Sequence, residues 1–151
     1  MIKNLSEIEQ RHILSNTYIG QLGYIYQGRP FVVPITFYFH AEANAIICYS
    51  NEGHKLHAMR GNRNVSLQVS QIESINHWKS VLVHGVFEPQ FATEAKSYLH
   101  EFSLGIKDLI LEHELRKVDF ISEFSSKALE NQIAQVYLIR IEEITGKQRN
   151  G

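Results

Sequence analysis

Tyr18-Ile19-Gly20-Gln21-Leu22-Gly23-Tyr24-Ile25-Tyr26 runs into Gln27-Gly28-Arg29-Pro30 and then into Phe31 to His40. Two stretches rich in β-branched and aromatic residues around a glycine-proline turn form a hairpin. Ala41-Glu42-Ala43-Asn44 makes the next turn and Ala45 to Ser50 reads as a third strand. Val65 to Val69 alternates apolar and polar, as a half-buried strand must. Ser80 to Phe87 continues the β texture, and Val136 to Glu142 supplies a last strand before Gly146 and a polar tail. Helices flank these strands. Ser6 and Glu9 form a capping box ahead of a short helix ending near Asn16, with Ile8, Ile13 and Leu14 as part of its apolar stripe. A short segment, Lys55 to Arg60, is rich in helix formers and is ended by Gly61-Asn62. Glu94 to Leu115 carries apolar residues at threes and fours, with Gly105 as a break, and Asp119 to Asn131 is less regular. Connections this short exclude parallel crossovers. The expectation is a mainly β (α+β) fold, an antiparallel sheet of six strands that closes into a barrel or is covered by helices.

The chain's 151 residues fit one domain spanning 1–151, with no repeat, linker or low-complexity segment. Fifteen Lys and Arg against sixteen Asp and Glu leave a net charge of −1, so no basic field exists to hold a nucleic-acid backbone. The N-terminus lacks the apolar core of a signal peptide, and no stretch approaches the ~20 apolar residues of a membrane span; a cytoplasmic protein with no membrane partner is expected. The lone cysteine, Cys48, sits in an apolar run and reads as a buried, inert thiol.

Three stretches could carry chemistry. Tyr49-Ser50-Asn51-Glu52-Gly53-His54-Lys55-Leu56 passes from a strand end through a glycine turn into a helix start. Such a junction presents free backbone amides and the positive end of the helix dipole, to which Ser50 and Lys55 add a hydroxyl and a cation. A phosphate suits it. In Val33-Pro34-Ile35-Thr36-Phe37-Tyr38 a proline interrupts a strong strand, so one side of that strand is unpaired there, at an edge or bulge, and a planar ligand could take the free hydrogen bonds. His77-Trp78-Lys79-Ser80 starts a strand, and its serine could reach a phosphate brought close by sheet pairing. His54 and His57 are three apart on a helix, but no HExxH pattern or second cysteine supports a metal site, and none is expected.

The order of these motifs carries a resemblance. Gly23 and Pro30, then Val33 to Phe37, Ser50 with Gly53-His54-Lys55-Leu56, Asn64-Val65, Ser80-Val81 with Gly85, and finally Arg140-Ile141-Glu142-Glu143-Ile144-Thr145-Gly146-Lys147 resemble the pyridoxamine 5'-phosphate oxidase-like FMN-binding split barrels. The closest branch is the nitroimidazole-resistance type. The resemblance covers about residues 18 to 147. It implies a six-stranded split β-barrel of Greek-key type with flanking helices, a homodimer, and a flavin mononucleotide at each end of the subunit interface. Carried over by position, the backbone of Pro34, Ile35, Thr36 and Phe37 would line the isoalloxazine ring. Ser50, Lys55 and Ser80 would hold the phosphate, with Leu56 nearby. Tyr49 stands where that branch commonly has a histidine, and His54 is the candidate to replace it. The vitamin B6 oxidases of the superfamily carry a C-terminal segment with arginine and histidine, whereas this sequence reads Gly146-Lys147-Gln148-Arg149-Asn150-Gly151 there, so pyridoxamine phosphate is not the expected substrate. The implied activity is flavin-dependent oxidoreduction of a small organic acceptor, with no side chain required as acid or base. The alternatives are a non-catalytic flavin-binding protein, a haem-binding split barrel, or a deazaflavin in place of FMN.

Overall fold

In the two-residue turn between β2 (Ile19–Tyr26) and β3 (Arg29–Thr36), Gln27 and Gly28 both take positive φ, 51° and 73°. That is the hairpin geometry whose twist matches the flanking strands. The computed structural model describes residues 1–113 and 135–151. The remaining elements are β1 (Ile2–Asn4), α1 (Glu7–Ser15), β4 (Tyr38–His40), β5 (Ala45–Ser50), α2 (His54–Gly61), β6 (Asn64–Ser74), β7 (His77–Pro89), α3 (Ala92–His113) and β8 (Gln135–Asn150). The reading of Asp119 to Asn131, and of the helix beyond His113, lies outside the described residues.

Every strand pairing is antiparallel, in the order β3-β2-β6-β7-β8-β5-β4, with β1 added to β8. The path begins on β3 and ends on β4, strands separated in the chain by Phe37 alone. The sheet therefore coils until its two edges meet at Phe37, giving a split barrel. Eight strands among the described residues stand in place of the expected six. The hairpin's second strand divides at Phe37, whose N–H turns to the Tyr18 carbonyl at 2.9 Å, and β1 is a three-residue addition too short to read from its pattern.

The interior holds Leu22, Leu67, Val81, Val83, Phe87 and Tyr137 from alternating positions, plugged by Ile13 and Leu14 of α1. The capping box is formed as read: the Glu9 N–H donates to Ser6 Oγ at 3.2 Å and the Ser6 N–H to Glu9 Oε1 at 3.4 Å. Ile8, however, points to solvent at 82% exposure, so the stripe rests on Ile13 and Leu14. A second cluster lies between β5, β8 and α3, centred on Ile47, Phe102, Ile106 and Leu138. Gly105 does not break α3. A Cβ there would lie 2.2 Å from the ring of Tyr38, so the glycine admits that ring. His40 adds a polar tie between β4 and α3: its Nδ1 accepts from the Ala43 N–H at 3.1 Å, which leaves Nε2–H to face the Glu101 carboxylate. Nor is the end of the chain a tail. β8 continues to Asn150 against β7 and β1, its residues past Gly146 unburied.

Candidate functional site

The split places two unpaired strand edges near each other. β5 meets β4 only as far as Tyr38↔Ile47, so Cys48 and Ser50 keep β8 on one side and have no strand partner on the other among the described residues. β3 pairs with β2 alone, through Thr36↔Ile19, Ile35↔Gly20 and Pro34↔Gln21, and its outer edge is likewise without a strand partner among the described residues. Pro34 is exposed on this edge strand, the place where a residue without an N–H costs no ladder bond. The outer edge of Pro34 to Thr36 is thus without a strand partner among the described residues, with the Phe37 N–H already given to the Tyr18 carbonyl, while the side chains of Ile35 and Phe37 are buried in the barrel beside Cys48 and Leu56.

Alternation along β5 sorts its end residues. Cys48 faces the barrel interior and Ser50 follows on that side, whereas Tyr49 faces α3 and sets its ring edge-on against Phe102 at 5.3 Å. Burial pushes the Tyr49 hydroxyl above its ordinary value. It pushes the Cys48 thiol to about 12, against a smaller opposing effect of its hydrogen bond with Tyr137, so Cys48 is inert as read. Ser50 Oγ donates to the Asn51 carbonyl at 3.1 Å.

Gly53 caps α2 in an extended conformation (φ 175°) with no side-chain acceptor for the first-turn amides. Lys55 is half-buried, close enough for its charge to act on Cys48, and has no hydrogen-bond or ion-pair partner among the described residues. The loop leading into α2 is pinned by Arg60, which donates to both oxygens of Glu52 at 2.5 and 3.0 Å and holds that carboxyl below the usual range. His54 is held from the other side. Its Nδ1 lies 2.9 Å from the Tyr24 hydroxyl, and its ring packs against Tyr26 and Phe31, each at 4.9 Å. Among the described residues no group of three His, Cys, Asp or Glu side chains could hold a metal ion.

Ser50, Lys55 and the α2 amides come together at the end of β5, with the Pro34–Phe37 backbone across the split. Ser80 does not join them. On β8 it pairs with Lys147, whereas Ser50 pairs with Gln135, twelve positions away, or about 40 Å along the strand. Instead Ser80 Oγ accepts from Gln68 Nε2 at 2.9 Å, and Gln68 stands opposite Gln21, which stands opposite Pro34. Gln68 escaped the sequence reading, although its polar place in the alternation of Val65 to Val69 marked it as facing outward. The Tyr24, Tyr26 and Phe31 cradle for His54 was also missed, because only the hairpin register brings those rings to α2.

A sequence profile of the pyridoxamine 5'-phosphate oxidase family matches residues 6–148. The chain belongs to that family. An uncharacterised protein of Rhizobium meliloti (strain 1021), RA0666, is 32% identical over 105 residues, covering 68% of each chain. The family's fold is matched by an FAD-binding protein from Mesorhizobium loti, with TM-score 0.75 and 22% identity over 99% of both chains. A candidate 5-nitroimidazole antibiotic resistance protein from Bacteroides thetaiotaomicron superposes with TM-score 0.67 at 19% identity, over 98% of this chain and 89% of the other. These structures share the split-barrel fold. Within the described residues no helix is long and apolar enough to cross a membrane.

Proposed function

We propose that this chain is an FMN-binding oxidoreductase that acts, as a homodimer, on a small organic acceptor. The observation that carries the reading is the meeting, at one split, of the outer edge of β3 with a lysine at the start of α2 that has no hydrogen-bond or ion-pair partner among the described residues. Lys55 and the first-turn amides of α2 would hold the phosphate dianion by charge-assisted contacts, with Ser50 beside them. The edge backbone from Pro34 to Phe37 would meet the polar rim of the flavin ring, above a floor made by Ile35, Phe37 and Leu56. His54 and Tyr49 flank the site from α2 and β5. Bound flavin supplies the electron and hydride chemistry, and the protein supplies binding, orientation and exclusion of water. A net charge of −1 and the absence of a basic stripe leave small molecules, not nucleic acid, as the partners.

The test is reconstitution of purified apoprotein with FMN, FAD or haem, followed by absorbance and then by reduction with a nicotinamide cofactor. A stoichiometric yellow complex with FMN, reoxidised by a nitro, quinone or pyridoxal-type acceptor, is the expected result. Preference for FAD, the ligand named for the Mesorhizobium loti relative, would correct the cofactor. A Soret band with no flavin uptake would overturn the reading in favour of haem, and flavin that reduces but finds no acceptor would leave a carrier in place of an enzyme.

A further inference from the structure

Tyr24 is 4% exposed and belongs to the barrel core with Leu22 and Leu56, yet its hydroxyl reaches out of that core to His54, an exposed residue, whose Nδ1 lies 2.9 Å away. The core does not need that hydroxyl. Phenylalanine would fill the same place with no polar atom to satisfy, whereas a buried tyrosine must find a partner for its O–H. The ring that carries it is a stiff post: Phe31 stands directly opposite on β3 and stacks on it at 5.4 Å, 7° from parallel. The bond also falls where little else is directional. Gly53, which caps α2, has open space around it and supplies no side chain. Arg60 and Glu52 tie α2 to its own lead-in, so that pair moves with the helix. Leu56, Ala58 and Met59 bury one side of the helix in the core and hold its body, but apolar burial is non-directional. Among the described residues, the contact with Tyr24 is the hydrogen bond that joins an α2 side chain to the barrel, and it is made by the first residue of the helix, next to Lys55.

We propose that Tyr24 is a positioning residue for the phosphate of the bound ligand: its O–H donates to His54 Nδ1, which fixes the neutral Nε2–H form of that imidazole and, with it, the direction of Lys55 and the first-turn amides of α2. The inference rests on the FMN reading above and adds to it the residue that aims the anion site. His54 Nε2 has no hydrogen-bond partner among the described residues, so the proton that Tyr24 confines to that nitrogen is free for a ligand. Tyr26 and Phe31, each 4.9 Å from the His54 ring, close its other sides and limit the rotations by which it could leave Tyr24.

Tyr24→Phe tests this, because it keeps the stacked ring and removes only the hydroxyl. His54 is exposed, so water replaces the lost bond and the melting temperature should barely move. In the full-length apoprotein at about pH 8, where a histidine is neutral, two-bond ¹H–¹⁵N correlation of the His54 ring, identified by its loss in His54→Ala, should show Nε2–H alone in the wild type and an exchanging mixture of tautomers in Tyr24→Phe. In titrations with FMN and with riboflavin, the variant should bind FMN about three- to tenfold more weakly, the worth of one neutral hydrogen bond, and riboflavin as well as the wild type does. Adding Tyr24→Phe to His54→Ala should cause no further loss, since the tyrosine acts through that imidazole. An Nδ1–H tautomer in the wild type, an unchanged FMN affinity, an equal loss for both flavins, or additive losses in the double variant would each overturn the positioning role, while a selective loss of FMN in Lys55→Ala would leave the flavin reading standing. A wild type that takes up neither flavin overturns that reading and this inference together.

Discussion

Replacing Lys55 with alanine removes the side-chain cation that, among the described residues, the start of α2 offers an anion. The loss should equal a charge-assisted hydrogen bond, about 1.5 to 3 kcal/mol, or a ten- to 150-fold rise in the FMN dissociation constant. Binding should not vanish, since the first-turn amides of α2 and the helix dipole remain and contribute about 0.3 to 1 kcal/mol. Because Lys55 has no partner within the described residues, the melting temperature should barely move; a surface-type substitution of this kind stays within about 0.5 kcal/mol. The assay is quenching of flavin fluorescence on titration, run in parallel with riboflavin, which has the ring and no phosphate. Riboflavin affinity should be the same for wild type and variant, while FMN affinity falls and loses part of its salt dependence. Equal loss for both flavins, or none for either, would refute the phosphate assignment, because a lysine acting on the phosphate cannot alter the affinity of a ligand that lacks one.

Gly85→Ala should cost about 3 kcal/mol in urea denaturation, because its Cβ would meet the Arg140 carbonyl oxygen at 2.4 Å and a strand backbone cannot step aside; Gly61→Ala, with open space around it, should change stability little. Gly105→Ala sets helix propensity, about 1 kcal/mol in its favour, against the Tyr38 ring at 2.2 Å; a net loss of melting temperature is expected, and a gain would refute the packing role. Above pH 9 an unfolded Cys48 releases its proton while the folded one keeps it up to about 12, so the unfolded state binds fewer protons and stability falls as pH rises through that window. The limiting slope is about 1.4 kcal/mol per pH unit, and Cys48→Ala should flatten it. Tyr137, whose hydroxyl is also raised by burial, leaves a residual slope in urea titrations at alkaline pH.

What could be read from the chain alone was what neighbours in sequence decide. The capping box of Ser6 and Glu9 spans four residues, the bounds of β5 follow from one apolar run between two turns, and Ser50, Gly53 and Lys55 reach one place because five residues of chain tie them there. Gly105 was misread for the complementary reason. Helix propensity is local, whereas the Tyr38 ring that requires a glycine arrives from a strand far away in sequence. The polar residues from Lys147 to Asn150 look like a tail because they lack the alternation that a covered sheet face imposes, and their strand partners on β7 and β1 leave them unburied.

Register explains the remaining gap. The motifs at Pro34, Lys55 and Ser80 read as one site when laid end to end along the sequence, yet the structure joins only the first two, through the divergence of β3 and β4 at Phe37. The place of Ser80 is set by where β7 meets β8, a pairing that no local pattern encodes. Its side chain lies on the outward face with Gln68, Gln21 and Pro34, so a ligand at the split of one chain can involve that serine only if a second barrel presents it. The position of one hydroxyl thus links the flavin reading to the oligomeric state. If a stable monomer bound FMN with full affinity and Ser80→Ala left that affinity unchanged, the link would be broken and the phosphate would rest on Lys55 and the α2 amides alone.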